Sequence, residues 1–333
     1  MNDYPIDFVI IWVDGSDPEW LAEKSKYRPD TNTDSRVCRY RDWDNLRYWF
    51  RGVEKFAPWV NNIFFVTWGH LPPWLDTNHP KLKIVKHEDY IPQEYLPTFS
   101  ANPIELNLHR IKGLSEHFVF FNDDMFVIKK TRREDFFKKG KPCDSAVLTA
   151  NYFTANDLFL IPAINIGVIN KHFEFKKAIK NNLRGWFNFK YGHKVLQTIV
   201  LLKCPLAPGM WHHHLMTSLC KSTYEIVWEK EFDKLNETCT NKFRHLLDCN
   251  QWLFKDWQIF TGNFTPRRAS AGKVFHLSVT RNILRAEKYI KKQKGKFICV
   301  NDNDLNADDF ERFKAVICNS FEKILPEKSL FEL

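Results

Sequence analysis

No two of the eight cysteines form a C-x-x-C pair, and none stands at zinc-finger spacing from a histidine. A zinc module built on that pattern is therefore excluded. Scattered cysteines among large apolar neighbours read as a reduced, intracellular chain rather than a disulfide framework. No stretch approaches the ~20 apolar residues that cross a bilayer. The first apolar run is short, is interrupted by Asp7 and ends at Asp14, so it does not read as a signal peptide. The expected location is cytoplasmic, with any membrane contact made from the surface. There is also no internal repeat, no low-complexity tract and no long linker, which points to one module rather than a string of domains.

What is present is a 333-residue chain, 44% hydrophobic and 15% aromatic, ample for a packed core. The net charge of +9 and pI near 9.0 favour polyanionic partners: nucleic acid, an anionic membrane or phosphorylated substrates. Residues 6–13 (IDFVIIWV) are apolar on both faces and predict a buried strand. NNIFFVTWG (61–69) and KLKIVKHED (81–89) read the same way, and HFVFFNDDMFVI (117–128) is a strand that meets acids and resumes. A helix is predicted over 42–58, capped by Asp42, with Leu46, Trp49, Phe50, Val53 and Phe56 on one stripe. A second is predicted over 102–115, with Asn102 as cap and Glu105 as its capping-box partner. Helical pieces follow over 172–203, broken near 185–192, and over 218–262. Then come a basic helix, the short strand KFICV and a last helix ending at Pro326. This order argues for an α/β sheet with crossover helices and a more helical second half. In such sheets ligands bind beyond the carboxyl ends of the strands, where the acids and glycines gather.

Several groups could carry chemistry, and each has a structural reading beside the functional one. Asp14, Gly15 and Asp17 end the first strand, either as a turn or as a ligand corner. Asn122, Asp123 and Asp124 are an acidic turn or the oxygen ligands of Mg²⁺ or Mn²⁺. Arg47 and Arg51, one helical turn apart with Asn45 at the same helix start, match phosphate oxygens or form a solvated basic face. Arg36, Arg39 and Arg41 stand just before them and strengthen the anion reading. In the run His212–His214 two side chains can point one way and the third the other, so one can serve as a base. A solvated loop or a metal site are the other readings. Glu105, His109 and Arg110 share a helical neighbourhood. Asn301-Asp302-Asn303 repeats the strand-then-acid pattern and also fits a helix cap. The basic helix with Arg281, Arg285 and Lys288 lacks interleaved aromatics, so nucleic acid is not expected there; a membrane surface or a polyanionic glycan is the alternative.

Taken together, IDFVIIWVDGSDPEW, RYRDWDNLRYWFRGVEKFAPWVNNIFFVTWGHLPPWL, YLPTFSANPIELNLHRIKGLSEHFVFFNDDMF and KFICVNDN resemble the blocks of the Stealth family. These are the hexose-1-phosphate transferases of bacterial capsule and cell-surface polysaccharide synthesis, related to the animal lysosomal-enzyme N-acetylglucosamine-1-phosphotransferase. The resemblance implies a nucleotide-sugar-transferase-like α/β core, a UDP-sugar donor, a divalent cation (Mg²⁺ or Mn²⁺) and a glycan acceptor, expected to be lipid-linked. It implies a donor and metal lobe over 1–145 and a helical acceptor lobe over 146–333. Asp14, Gly15, Asp17, Asn45, Arg47 and Arg51 would hold the donor. Asn122, Asp123, Asp124 and Asp302 would face the metal, and Glu105, His109, Arg110 and Asn301 the acceptor. His214 and Arg244 match the family's base and phosphate stabiliser; His212 is the alternative base, because this chain has three histidines where the family has a proline in the motif. The rival readings are a glycosyltransferase that releases UDP and a basic glycan- or nucleic-acid-binding protein without activity.

Overall fold

In this computed structural model, residues 4–27, 33, 34, 36, 38, 40–151, 160–302 and 305–333 are described. Arg39 and Asn303 of the sequence reading lie outside them. The strands are β1 (Ile6–Ile11), β2 (Thr33–Asp34), β3 (Ile63–Thr67), β4 (Leu82–Lys86), β5 (His117–Asn122), β6 (Met125–Val127), β7 (Phe137–Lys138), β8 (Lys141–Asp144), β9 (Thr217–Cys220), β10 (Arg244–His245), β11 (Thr265–Pro266), β12 (Gly272–His276) and β13 (Phe297–Asn301). The α-helices are α1 (Pro18–Ser25), α2 (Leu46–Phe56), α3 (Ala101–Leu106), α4 (Leu160–His172), α5 (Phe175–Asn181), α6 (Leu183–Trp186), α7 (Val195–Leu201), α8 (Lys221–Lys230), α9 (Phe232–Thr240), α10 (Trp252–Phe260), α11 (Thr280–Lys291) and α12 (Ala307–Ile324).

The architecture is the expected mixed α/β one. The central sheet runs β4-β3-β1-β5-β9, with β4, β3, β1 and β5 parallel and β9 antiparallel at the edge. Along β1 the side chains alternate between two cores. Phe8 and Ile10 pack with α2, α11 and α12, whereas Val9 packs with the helices of the second half. Both faces are covered, as a parallel sheet requires, and burial of a side chain such as Phe8 contributes about 1.5–3 kcal/mol. From β1 the chain builds outward through β3 to β4, then returns to add β5 on the other side of β1. The crevice where the direction switches lies between the carboxyl ends of β1 and β5. A second sheet, β12-β13-β6, continues from β5 through a turn and brings the end of β13 beside that crevice.

Three local expectations are corrected. β4 is an edge strand with Lys83 and Lys86 exposed, not a strand buried on both faces; lysine on an edge blocks pairing with another chain. Helix α2 starts at Leu46 behind Asn45, and Asp42 instead accepts from the Asp44 amide at 2.9 Å. Helix α3 is capped by the Ser100 hydroxyl, which accepts from the Asn102 amide. It ends at Leu106, with a single 3₁₀ turn over Leu108–Arg110 in place of the longer helix. Glu105 therefore has no capping-box role.

Candidate active site

The switch-point crevice is a cleft walled by the end of β1 (Ile11–Val13), the loop before α2, the segment leading into α3, the β5–β6 turn and the end of β13. His214 and Arg244 reach it from the second half of the chain. At its centre the Asp124 carboxylate oxygen Oδ2 accepts from the Cys299 thiol at 3.1 Å and from Asn301 Nδ2 at 3.1 Å, and it lies 3.4 Å from His214 Nε2. β13 delivers Cys299 and Asn301 on one face because they are two residues apart on a strand, and the Val300 amide fixes the register by donating to the Asp124 carbonyl at 2.9 Å. Burial opposes charge on Asp124, but His214 and these donors outweigh it and hold the carboxyl below its usual range. Burial likewise disfavours the His214 imidazolium, and Asp124 with Glu105 reverses this to a raised pKa. Burial pushes the Cys299 thiol well up, so it is a neutral donor.

The neighbouring acids are less satisfied. Asp123 is open to the cleft yet walled in, and this desolvation, with the charges of Asp124 and Asp42, pushes its pKa up to about 7. Asn122 Oδ1 and Asp124 Oδ1 are buried with no hydrogen-bond partner among the described residues. Buried acceptors without donors are costly, and oxygen atoms beside two crowded carboxylates suit a hard divalent cation. Asp124, His214 and Cys299 also lie close enough to share an ion. A hard divalent cation prefers oxygen to sulfur, however, so the oxygen set of Asn122, Asp123 and Asp124 fits better.

The histidine run alternates. His212 and His214 face Trp252, His212 stacked on it at 4.5 Å and His214 edge-on at 6.0 Å, while His213 turns away to stack on Trp211. His212 Nε2 is held 2.9–3.0 Å from the fully buried Asp256 carboxylate, outside the cleft lining. Arg244 lines the cleft from β10, whose partner is β2. Glu105 is buried behind this wall. It accepts from the Gln251 amide at 3.3 Å and feels the charges of Arg244 and His214, yet burial still pushes its pKa up to about 7.

Several other expected residues are engaged by partners within the protein. Asp302 lines the cleft, where Arg41 grips its carboxylate bidentately at 2.8–2.9 Å, and this pair holds Arg41 in the cleft wall. Arg51 is not at the crevice. Its guanidinium is bound by Glu332 at 2.7 and 2.9 Å, Glu322 at 3.1 Å and the Leu325 carbonyl. Arg47 lies half-buried over Trp74, outside the cleft lining, whereas Asn45 is buried in it. Asp14 Oδ1 accepts from the Ser16 amide and hydroxyl, and Asp17 Oδ1 caps α1 through the amides of Glu19 and Trp20. A Cβ on Gly15 would sit 2.0 Å from the Tyr40 carbonyl, so the close approach that demands glycine is to Tyr40. His109 packs between Tyr224 and Trp228, and Arg110 is exposed over Trp228; neither lines the cleft.

Three cleft features escaped the sequence reading. Cys299 was readable in principle, since it shares a strand face with Asn301. Asp42 hides as a helix cap. The aromatic wall of Trp20, Tyr40 and Phe99 is assembled from three separate segments, so no local pattern announces it.

A parallel-sheet crevice that converges a histidine, an arginine and crowded carboxylates is the equipment of a group-transfer enzyme. Comparison with known proteins narrows the class. Residues 4–31 match the family model "Stealth protein CR1, conserved region 1" and residues 39–144 "Stealth protein CR2, conserved region 2". The chain is 43% identical to capsular polysaccharide phosphotransferase WcwK of Streptococcus pneumoniae over 99% of both chains. It is 40% identical to receptor polysaccharide phosphotransferase WefC of Streptococcus gordonii, covering 98% of this chain and 99% of that one. It is 37% identical to exopolysaccharide phosphotransferase cps2G of Lactiplantibacillus plantarum, covering 99% and 96%. Among solved structures it is distantly similar to galactosyltransferase LgtC in complex with donor and acceptor sugar analogs (11% identity, TM-score 0.40, 94% of this chain and 95% of that one). The apo bifunctional glycosyltransferase WbbM is comparably distant (10% identity, TM-score 0.36, 96% and 52%). The chain belongs to the Stealth family and is a phosphotransferase.

Proposed function

We propose that this enzyme moves a sugar-1-phosphate from a UDP-sugar to a hydroxyl of a glycan acceptor in capsular or exopolysaccharide synthesis. The observation that carries this reading is the ion pair of His214 with Asp124 in the same cleft as Arg244 and two unpartnered acceptor oxygens. The acceptor hydroxyl attacks the β-phosphorus. A new P–O bond forms, the bridging P–O bond to the α-phosphate breaks, and UMP leaves with that oxygen. His214 takes the hydroxyl proton; with Nε2 held toward Asp124, the accepting nitrogen is Nδ1, and Asp124 strengthens the base by stabilising the imidazolium. Arg244 and Arg41, the latter fixed by Asp302, face the charge on the phosphoryl oxygens. Asn45 lines the donor side, and the Trp20, Tyr40 and Phe99 wall offers ring surface to a base.

Asn122, Asp123 and Asp124 would hold Mg²⁺ or Mn²⁺, which when bound neutralises charge on the diphosphate. Burial pushes the Glu105 pKa up to about 7, so this carboxyl behind Arg244 is about half protonated at pH 7 and draws less of the guanidinium charge away from the phosphate than a fully ionised acid would. The test is to incubate the protein with UDP-sugars, Mg²⁺ and a glycan acceptor and to identify the released nucleotide. UMP is expected. UDP would mean attack at the anomeric carbon and would overturn the proposal.

A further inference from the structure

Helix α7 breaks the usual rule for a surface helix. Its inner face packs Val195 and Leu201 against the core, and the buried Thr198 hydroxyl accepts from the Leu148 amide at 3.1 Å. Its outer face is also apolar: Leu196, Ile199 and Val200 are 63, 48 and 66% exposed and stand at the i, i+3, i+4 spacing of one stripe. Phe189 just before the helix is 82% exposed and Leu206 just after it 59%. A helix apolar all round belongs in an interior, so water is not the natural neighbour of this face. The surrounding segment, 175–206, has six lysines, one arginine and no acidic residue. Lys180, Arg184 and Lys203 are exposed.

We propose that α7 and its flanks dock this enzyme onto an anionic lipid bilayer. Exposed Phe, Leu, Ile and Val side chains in a segment whose charges are all cationic match the acyl boundary and the phosphate layer of such a surface. A second copy of the chain fits worse, because a symmetric contact would set lysine against lysine. Among the described residues no helix is long and apolar enough to cross a membrane, so the contact is interfacial. The surface is tied to the cleft by one side-chain contact and a short stretch of chain. Lys194 lies over the Trp211 ring at 4.2 Å, Trp211 donates its amide to Val147, and the chain reaches His214 three residues later.

The test is vesicle flotation, which reads binding without turnover and so stands apart from the proposed reaction. Wild-type protein is expected to float with vesicles of two parts phosphatidylcholine to one part phosphatidylglycerol, and to stay behind with phosphatidylcholine alone. Each lysine near such a surface is worth about fivefold in partitioning, so Lys180→Glu with Lys203→Glu should weaken flotation at least about 25-fold. Phe189→Ser with Val200→Ser should abolish it, both variants keeping the wild-type circular dichroism. Failure of wild type to float with either vesicle, or charge reversal without effect, would overturn the proposal. A concentration-dependent dimer that Val200→Ser dissociates would also overturn it, assigning the face to a second copy.

Discussion

At the carboxyl end of β1, Asp14 and Asp17 close on the backbone that follows them: one oxygen takes the Ser16 amide and hydroxyl, another the first amides of α1. At the carboxyl end of β5, its neighbour in the sheet, Asn122 and Asp124 each keep a buried oxygen that no hydrogen-bond donor among the described residues reaches. Both corners are apolar strands running into acids. They differ in what comes next. After β1 the chain turns at Gly15, where Ser16 occupies Asp14, and starts a helix, whose first amides need acceptors and find Asp17. After β5 it continues into β6, whose backbone is committed to pairing with β13. An acid that launches a helix is consumed by it; an acid between two strands is left for a ligand.

The comparison is sharpest at the acids themselves. Asp124→Asn removes the charge that pairs with His214 and should lower the turnover rate about 10³-fold, in the range of lost electrostatic stabilisers, while Asp14→Asn should change it by less than about threefold. Initial rates of nucleotide release measure both. Similar losses in the two variants would erase the distinction between the corners. His214→Ala should cost ~10²–10⁴ in rate, as loss of a positioned base does, whereas His213→Ala, turned away onto Trp211, should stay close to wild type. Equal rates in the two histidine variants would remove His214 from the reaction.

The same contrast extends to the arginines. Arg41 is anchored by one acid and remains in the cleft; Arg51 is enclosed by Glu332 and Glu322. Arg51→Ala leaves Glu332, which is 3% exposed at its side chain, without its cation, and should cost about 3–5 kcal/mol in urea unfolding with the rate of the folded enzyme preserved. A rate loss without a stability loss would return Arg51 to the donor site. The pH dependence has a definite sign. Burial opposes the Glu332 charge, but the Arg51 hydrogen bonds outweigh it and depress the pKa below its usual 4.5. This contribution is therefore present in full above about pH 4.5 and is lost as pH falls through the lower folded value. Unfolding midpoints between pH 7 and 3 should show that acid limb in wild type and a weaker one in Glu332→Gln.

Much of this was legible from local pattern. β1 and β3 are apolar on both faces because both faces are covered, and that needs no knowledge of partners. The alternation of the histidine run follows from extended backbone, and the gathering of Asn122–Asp124, Asn301, His214 and Arg244 at the crevice agrees with the strand-end rule. What misled was long-range pairing. Arg47 and Arg51 share a helix face in sequence, yet Glu332, 281 residues away, takes one of them. Asp302 does reach the cleft, but the sequence pattern gives no sign that Arg41, 261 residues earlier, takes its carboxylate. Lys83 and Lys86 mark β4 as an edge, a signal that the surrounding apolar residues mask. Burial of a charge depends on which partner arrives, and periodicity carries no information about that.

The smallest effect tests the first corner alone. The Asp17 carboxylate accepts from Glu19 and Trp20 at 2.9 and 2.8 Å and lies 3.5 Å from His70 Nδ1. If capping is its whole role, Asp17→Ala should cost about 1 kcal/mol of stability, and Asp17→Asn almost nothing, because an amide oxygen caps as well. Neither should change the KM for the donor. A nucleotide ligand behaves differently: Asn at position 17 would keep the cap but lose the charge, so KM would rise while the melting temperature held. A thermal melt and a donor titration on this one conservative variant separate the two. A raised KM with an intact cap would mean that the helix-launching corner also faces the donor, and that the division between consumed and available acids fails where the nucleotide lies.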